Sequence, residues 1–568
     1  MSLALNGMLT KVRNIACALC ATFAFTGCDG FLEILPMNEV VLENYWTEKG
    51  DVVSVLNSCY ETLETEDCLV RMGVWGEMRS DNLKIGTNVP NEINEILKEN
   101  LLPSNSMCSW ARFYEAINRC NIVCHYAPQV QEIDPNYTES EMKANIAEAT
   151  AIRALCYFYL IRTFRDVPYT TTPSIDDSQT YIIPATPFDV VIDTLITDLE
   201  RVQYDAVRRY YLDDSYSAYH NSSKITRTAI HALLADLYLW KGDWDNSIKY
   251  CDQVLDFKRQ QYEEMLDREG NVNDIALFGD IPMILDKPEG EVLCGHSYDE
   301  IFGEGNSFES IFELYFATNQ QQSNKWVDDY YGNARGELNG RLTVPDFLRK
   351  DVAQGTNEVF KKTDARAYST TEMDNSTYFI RKYVHYDVDF TTQNINTEKD
   401  LKFEVTYSSG NPNWIIYRLT DMMLIKAEAL IQKGPEYYTE AFMLINYVNK
   451  RANDVTTTSR GDTLKLKDYT ESKVQMEELL LAERQREFMF EGKRWFDLVR
   501  IARRDGNNNR LVTLATRKYI ENINAIKIKL ANPDIIYFPY AKSELKVNPL
   551  LKQNPAYGHD EDSELTTK

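Results

Sequence analysis

Histidine and cysteine are the first shortages. Among 568 residues there are 6 His and 11 Cys, and cysteine at about 2% of the chain is far below the density of a disulfide-built scaffold. No His-Glu-x-x-His, Gly-x-Ser-x-Gly, Walker loop or dinucleotide glycine fingerprint occurs, so the common signatures of zinc hydrolysis, acyl transfer and nucleotide binding are missing. Positive charge is short too: 61 Lys and Arg stand against 86 Asp and Glu, a net charge of -25. A surface that acidic repels phosphate backbones, which excludes a general nucleic-acid binder. Past Cys28 no run approaches the roughly 18 apolar residues of a membrane-spanning helix. Rings, by contrast, are plentiful, with 35 Tyr, 23 Phe and 8 Trp. Some of them are expected to face ligand instead of core.

The N-terminus reads as an export signal. Lys11 and Arg13 precede an apolar run from Ile15 to Phe25, and no acidic residue occurs before Asp29. That order describes a secretory signal, too short to span a bilayer. It closes on Phe25-Thr26-Gly27-Cys28, the form of a bacterial lipobox with Phe where Leu is usual, and Met8 is as good a start as Met1. Residues 1–27 are therefore expected to be removed and Cys28 lipidated, taking the charge from -25 to -27 by loss of two bases. The eight remaining cysteines have no regular spacing; Cys120 and Cys124, beside His125, fall in a helical period and read as small buried hydrophobes. Asn271, Asn273 and Asp274 read as a polar turn, since no complete calcium loop follows. The sequence calls for no metal and no cofactor.

Helical periodicity dominates and comes in pairs. From Thr226, Ala229, Leu233 and Leu237 recur on one face; Lys241-Gly242-Asp243 breaks the run, with Asp243 as N-cap of a second helix through Trp244, Ile248, Cys251 and Leu255. A second pair carries Met423, Ala427 and Leu430, turns at Lys433-Gly434-Pro435, and continues through Ala441, Ile445, Val448 and Ala452. A third joins Ile146–Leu160 to a helix starting at Thr186-Pro187, with Asp189 completing the cap. Val52–Leu63 and Trp110–Val123 form a fourth, split by an insertion. Small Ala on one helix and a 4-3-4 spacing on the next is how tetratricopeptide-like hairpins pack. Two stretches lack a steady period, Arg71–Ser109 and Glu289–Pro412, and long loops in a compact protein are usually functional.

Five segments in order carry a resemblance. They are Cys28-Asp29-Gly30-Phe31-Leu32 through Pro36; Trp75-Gly76-Glu77-Met78-Arg79-Ser80-Asp81-Asn82; Tyr417–Leu430; Glu483–Phe488 with Glu491–Arg500; and Asn548-Pro549 with Gln553–Tyr557. Together they resemble the SusD/RagB family of outer-membrane nutrient-binding lipoproteins. The resemblance implies a mainly all-α fold: four tetratricopeptide-like pairs with long irregular insertions. It divides the chain into a signal (1–27), an N-terminal region (28–240) and a C-terminal region (241–568) holding the insertion 289–412, the last two forming one compact unit. It also implies a surface-exposed lipoprotein of the outer membrane, docked on a SusC-like TonB-dependent transporter. It does not name the ligand.

One pair of carboxylates has the spacing of a catalytic pair. Glu483 and Glu487 share a helix face at about 6 Å, near the separation that retaining glycosidases use. A general acid needs a raised pKa, and Arg484, Arg486, Lys493 and Arg494 around the pair favour ionised carboxylates. Glu483, Glu487, Arg494 and Asp497 are therefore expected to be scaffold ion pairs, and the protein to be no enzyme. The function expected is glycan binding and delivery, with peptide or another oligomeric nutrient as the alternative ligand and a surface hydrolase or a bare helical adaptor as the rival classes. Trp326, Tyr330 and Tyr298, each flanked by polar residues, are expected to stack on sugar, and Arg79, Asp81 and Asn82 to bond hydroxyls. For the anchor the expected outcome is direct. Cys28→Ser should release the protein from the membrane fraction, and unchanged retention after fractionation would overturn the lipid anchor.

Overall fold

A computed structural model describes residues 45–175, 182–210, 221–285, 288–289, 292–293, 296–316, 323–332, 340–350, 355–361, 364–374, 377–384, 387–389, 402–404, 412–453 and 464–558. The export signal and Cys28 lie outside the described residues. The scaffold begins with α1 (Lys49–Leu63), the short α2 (Glu66–Gly73), α3 (Ala111–Ile133) and α4 (Glu139–Phe164). It continues with α5 (Phe188–Val202), α6 (Arg227–Lys241), α7 (Trp244–Glu269), α8 (Leu419–Lys433) and α9 (Tyr438–Asn453), and ends on α10 (Lys473–Phe488) and α11 (Arg494–Asp505). Four antiparallel pairs pack as the periodicity implies: α1 on α3, α4 on α5, α6 on α7 and α8 on α9. Neighbouring pairs also touch, α3 on α4 and α7 on α8, so no helix buries its apolar face alone. No described helix is long and apolar enough to cross a membrane.

Local chemistry sets the helix ends. Thr226 accepts from Ala229 N–H and Asp243 from Asn246 N–H at the starts of α6 and α7, while Gly242 between them takes a left-handed φ of 84°. α5 departs from expectation. Pro187, not Thr186, occupies the N-cap and offers no side-chain acceptor; the first amide, on Phe188, donates instead to Asp166 at 3.0 Å. A remote carboxylate has replaced the local capping box, which sequence spacing cannot reveal.

The long insertion is pinned at both ends by one buried ribbon. β2 (Ser310–Leu314) pairs antiparallel with β4 (Trp414–Arg418), Leu314 opposite Trp414 and Ser310 opposite Arg418, and every residue of both strands is buried. The two insertions also meet. β1 (Lys84–Ile85) pairs with β3 (Leu342–Thr343), and Gly86 N–H donates to the Arg341 carbonyl at 2.9 Å. One continuous apolar core runs from Trp46 to Tyr557 beneath both.

At its centre the backbones of two remote segments touch. A Cβ placed on Gly76 would stand 1.8 Å from the Gly492 carbonyl oxygen, and Gly492 itself has φ 69°. Only glycine permits that approach. Gly76→Ala should therefore lower stability by about 3 kcal/mol, the upper part of the usual overpacking range. A denaturant melt indistinguishable from the natural chain would show that the two segments do not meet.

Candidate functional site

The segment Trp75–Asn82 and the segment Glu483–Arg500 form a single buried structure. Arg494 donates to both oxygens of Asp81, at 2.9 and 3.1 Å, across 413 residues of chain. Gln485 donates to Asp81 at 3.1 Å and to Asn82 at 2.8 Å. Glu77 accepts from Asn82 at 2.6 Å and from the amides of Phe490 and Lys493, at 3.3 and 3.2 Å. Lys493 is the N-cap of α11 and supplies no side-chain cap, so the Glu77 carboxylate serves the positive end of that helix. Arg79 donates to Glu99 at 2.6 and 3.0 Å and to the carbonyls of Ile535 and Ile536, with its guanidinium 4.5 Å over the Trp495 ring.

The carboxylates of the C-terminal motif are held the same way. Glu487 accepts from Arg418 at 2.6 Å, Arg451 at 2.7 Å and Arg366 at 2.9 Å. Arg366 and Arg486 both reach Glu483, at 2.8 and 2.7 Å. Arg418 and Lys382 converge on Glu491, and Arg484 and Arg500 on Asp497. Burial works against these charges, yet the guanidiniums of Arg418, Arg451 and Arg366 hold Glu487 well below the usual carboxylate range, and Arg366 with Arg486 holds Glu483 down. Neither carries a proton to donate at neutral pH, so this pair is unfit for the general-acid step of glycoside cleavage. Among the described residues no group of three His, Cys, Asp or Glu is placed to hold a metal ion.

The six residues expected to touch ligand are placed inside the molecule. Trp326 is wholly buried against α2, where a Cβ on Gly73 would stand 2.3 Å from its ring, and it packs on Tyr330 and Tyr331. Tyr298 is buried with its hydroxyl 2.8 and 3.0 Å from the carbonyls of Arg381 and Val384. Tyr330 is buried beneath the Arg341 guanidinium. Arg79, Asp81 and Asn82 are at most 1% exposed and committed to the pairs above. The correction has a common cause. Polar neighbours in sequence, such as Asn324 and Asp328 around Trp326, do not report what a side chain meets from remote elements.

What the insertions do show to solvent is different. Above the buried rings, the β1–β3 seam leaves Ile85, Thr87 and Asn88 exposed and carries the Lys84–Asp346 ion pair. Further along, β2 and α7 border a cleft of about 230 Å³ where the half-buried rings of Phe257 and Phe308 meet Arg208, Gln261 and Asn306. Apolar faces beside amides and the guanidiniums of Arg208, Arg209 and Arg268 are the chemistry a sugar requires. No local pattern singles out these rings: Phe257 lies on α7 beside the buried Tyr250 and Val254, and Phe308 lies in the turn before β2.

Comparison with known proteins agrees with this architecture. Two family models match in order: one described as starch-binding and associating with the outer membrane over residues 39–239, and that of the SusD family over residues 308–557. A SusD-like protein of Formosa agariphila is 24% identical over 565 residues, covering 97% of this chain and 100% of its own. A SusD superfamily protein of Bacteroides thetaiotaomicron superposes with a TM-score of 0.63 at 18% identity, over 90% of this chain and 100% of its own. A solved protein named as a laminarin binding SusD-like protein gives 0.59 at 18% identity, over 90% and 100% of the two chains.

The buried carboxylates respond to pH in opposite senses. Burial pushes Glu77 up to about 7 from an ordinary 4.5, whereas Arg418, Lys382 and Lys493 overcome burial and draw Glu491 down to about 2. The Glu491 contribution is present above 4.5 and is lost as pH falls through about 2; the Glu77 contribution is full below 4.5 and is lost as pH rises through about 7. Glu77→Gln should therefore flatten the fall in unfolding free energy between pH 4.5 and about 7. An unchanged slope across that window would show that Glu77 is ionised throughout.

Proposed function

We infer the function from a premise: the chain belongs to the SusD/RagB family. It is a non-catalytic glycan-binding lipoprotein of the outer membrane, held by acyl chains on Cys28, that delivers oligosaccharide to a SusC-like TonB-dependent transporter. The observation that carries this reading is the pair of family models in order along the chain, one of them described as starch-binding and associating with the outer membrane. A laminarin binding protein among the solved structures of like fold supports it.

The physical chemistry is consistent with that task. Neutral sugars feel no net field, so a charge of -25 does not hinder their approach while it repels nucleic acid. Two or more acyl chains give stable anchoring that one cannot. The ligand surface is assigned to the insertion face: the β1–β3 seam and the cleft of Phe257 and Phe308. Beneath it the buried Trp326, Tyr330, Tyr298, Arg79, Asp81 and Asn82 act as support. The face of helical pairs, an extended surface of the kind solenoids use for partners, is assigned to the transporter. In native gels cast with a panel of polysaccharides, the purified protein should be retarded by at least one glycan without releasing reducing ends, and Phe308→Ala should weaken the retardation about tenfold. Migration unaffected by every glycan, or accumulation of reducing ends, would overturn this reading.

A further inference from the structure

A second cleft, of about 500 Å³, lies where the α6–α7 turn meets the end of α11 and the segment around Tyr537. None of its lining residues belongs to either insertion. Its volume falls within the range of small-molecule sites. Trp240 closes α6 and Trp244 opens α7, and the left-handed Gly242 between them brings both indoles to the cleft. Trp240 is buried on Phe158 and Phe188, with ring centroids 6.0 and 6.1 Å away, and is fixed. Trp244 is half-buried and lines the cleft.

The charge of the lining inverts that of the chain. Five bases and two acids, Asp189 and Asp534, line the cleft, although the chain as a whole has 86 acids against 61 bases. Arg500 and Arg504 are absorbed by the buried Glu428, at 2.6 and 2.8 Å. Arg503, Lys241 and Arg165 keep 26%, 39% and 35% of their side chains exposed. Arg503 is aimed by Tyr537, whose hydroxyl accepts from it at 2.9 Å, and by the Phe188 ring 3.7 Å beneath its guanidinium. Its ion partner, Asp189, is 3.3 Å away and 88% exposed; the partner of Lys241, Asp193, is 56% exposed. Ion pairs this exposed are weak, so an incoming carboxylate exchanges for them at little cost. A guanidinium fork fixed by packing is suited to bidentate carboxylate recognition.

We propose that this cleft binds acidic saccharides, oligosaccharides bearing uronic acid, with Trp244 stacked on a sugar ring and Arg503 on its carboxylate. The proposal rests on the glycan-binding reading and adds to it a second site with a charge preference. A flat indole beside a guanidinium fits a uronate ring better than an acidic peptide, which offers charge but no extended apolar face.

The test is calorimetric titration of the purified protein with tetragalacturonate, maltotetraose and tetraglutamate, with Trp fluorescence as second readout. Tetragalacturonate should bind, quench fluorescence and weaken in high salt, and should bind about tenfold more tightly than the other two. Trp244→Ala and Arg503→Met should each lose about tenfold, Arg503→Lys should lose less than Arg503→Met, and Phe308→Ala should lose nothing. Melting curves establish that each variant is folded, and Trp244→Phe, which keeps a ring, serves if Trp244→Ala does not fold. Equal binding of maltotetraose, tighter binding of tetraglutamate, or full affinity in both variants would overturn the assignment. So would no binding of tetragalacturonate by a protein that polysaccharide gels still retard, a result that leaves the glycan reading standing; failure on every glycan removes both.

Discussion

Arg494 reaching Asp81 is the interaction on which the rest of the architecture hangs. Two segments more than 400 residues apart in the chain are drawn together by a bidentate pair wholly inside the protein. Around it stand the Glu77 carboxylate at the start of α11, the Arg79–Glu99 pair and the contact of Gly76 with Gly492. Burying charges is expensive, and their mutual attraction offsets that expense only with full hydrogen bonding. Glu487 meets that condition, bonded by three arginines, whereas Glu99 Oε1 and Arg484 Nη1 are buried without a partner. Removing one partner of such a pair costs about 3–5 kcal/mol because the other is left uncompensated. The pairs therefore act less as a source of stability than as a demand for one particular arrangement.

That arrangement explains the division of labour in the fold. The helical pairs need only periodic apolar faces to stack, and any similar pattern would serve. The insertions have no such period, and their positions are dictated by the charged centre and by the ribbon of β2 on β4. Trp326 against Gly73 and Tyr331 bonded to the Phe490 carbonyl at 2.8 Å tie the long insertion to the same centre. The surface assigned to ligand is thus positioned by groups buried beneath it.

Legibility in the sequence followed the range of the interactions. α6 and α7, with their Thr226 and Asp243 caps and Gly242 turn, were legible because everything that forms them lies within about ten residues. The cap of α5 was not, since its acceptor is Asp166 and not a neighbour. Glu483 and Glu487 were legible as ion-paired because the motif carries its own arginines, although Arg366, Arg418 and Arg451 come from elsewhere. Arg79, Asp81, Asn82 and Trp326 misled for the converse reason: a loop of polar residues looks solvated until its partners arrive from the far end of the chain. Trp244 was legible only as part of an apolar stripe, because the Arg503 and Tyr537 that give it meaning are contributed by remote segments.

The 413-residue span between Arg494 and Asp81 has a consequence for biosynthesis. A chain synthesised from its N-terminus delivers Asp81, Glu77 and Arg79 long before any of α10 or α11 emerges. Until then Arg79 has Glu99 and Glu77 has Asn82, but Asp81 lacks Arg494 and Gln485, so the helical pairs can stack while the charged centre stays hydrated. That centre closes only when α10 and α11 are present. Completion of the chain is thereby written into folding itself: a product truncated before α10 lacks the Gln485 and Arg494 that hold Asp81.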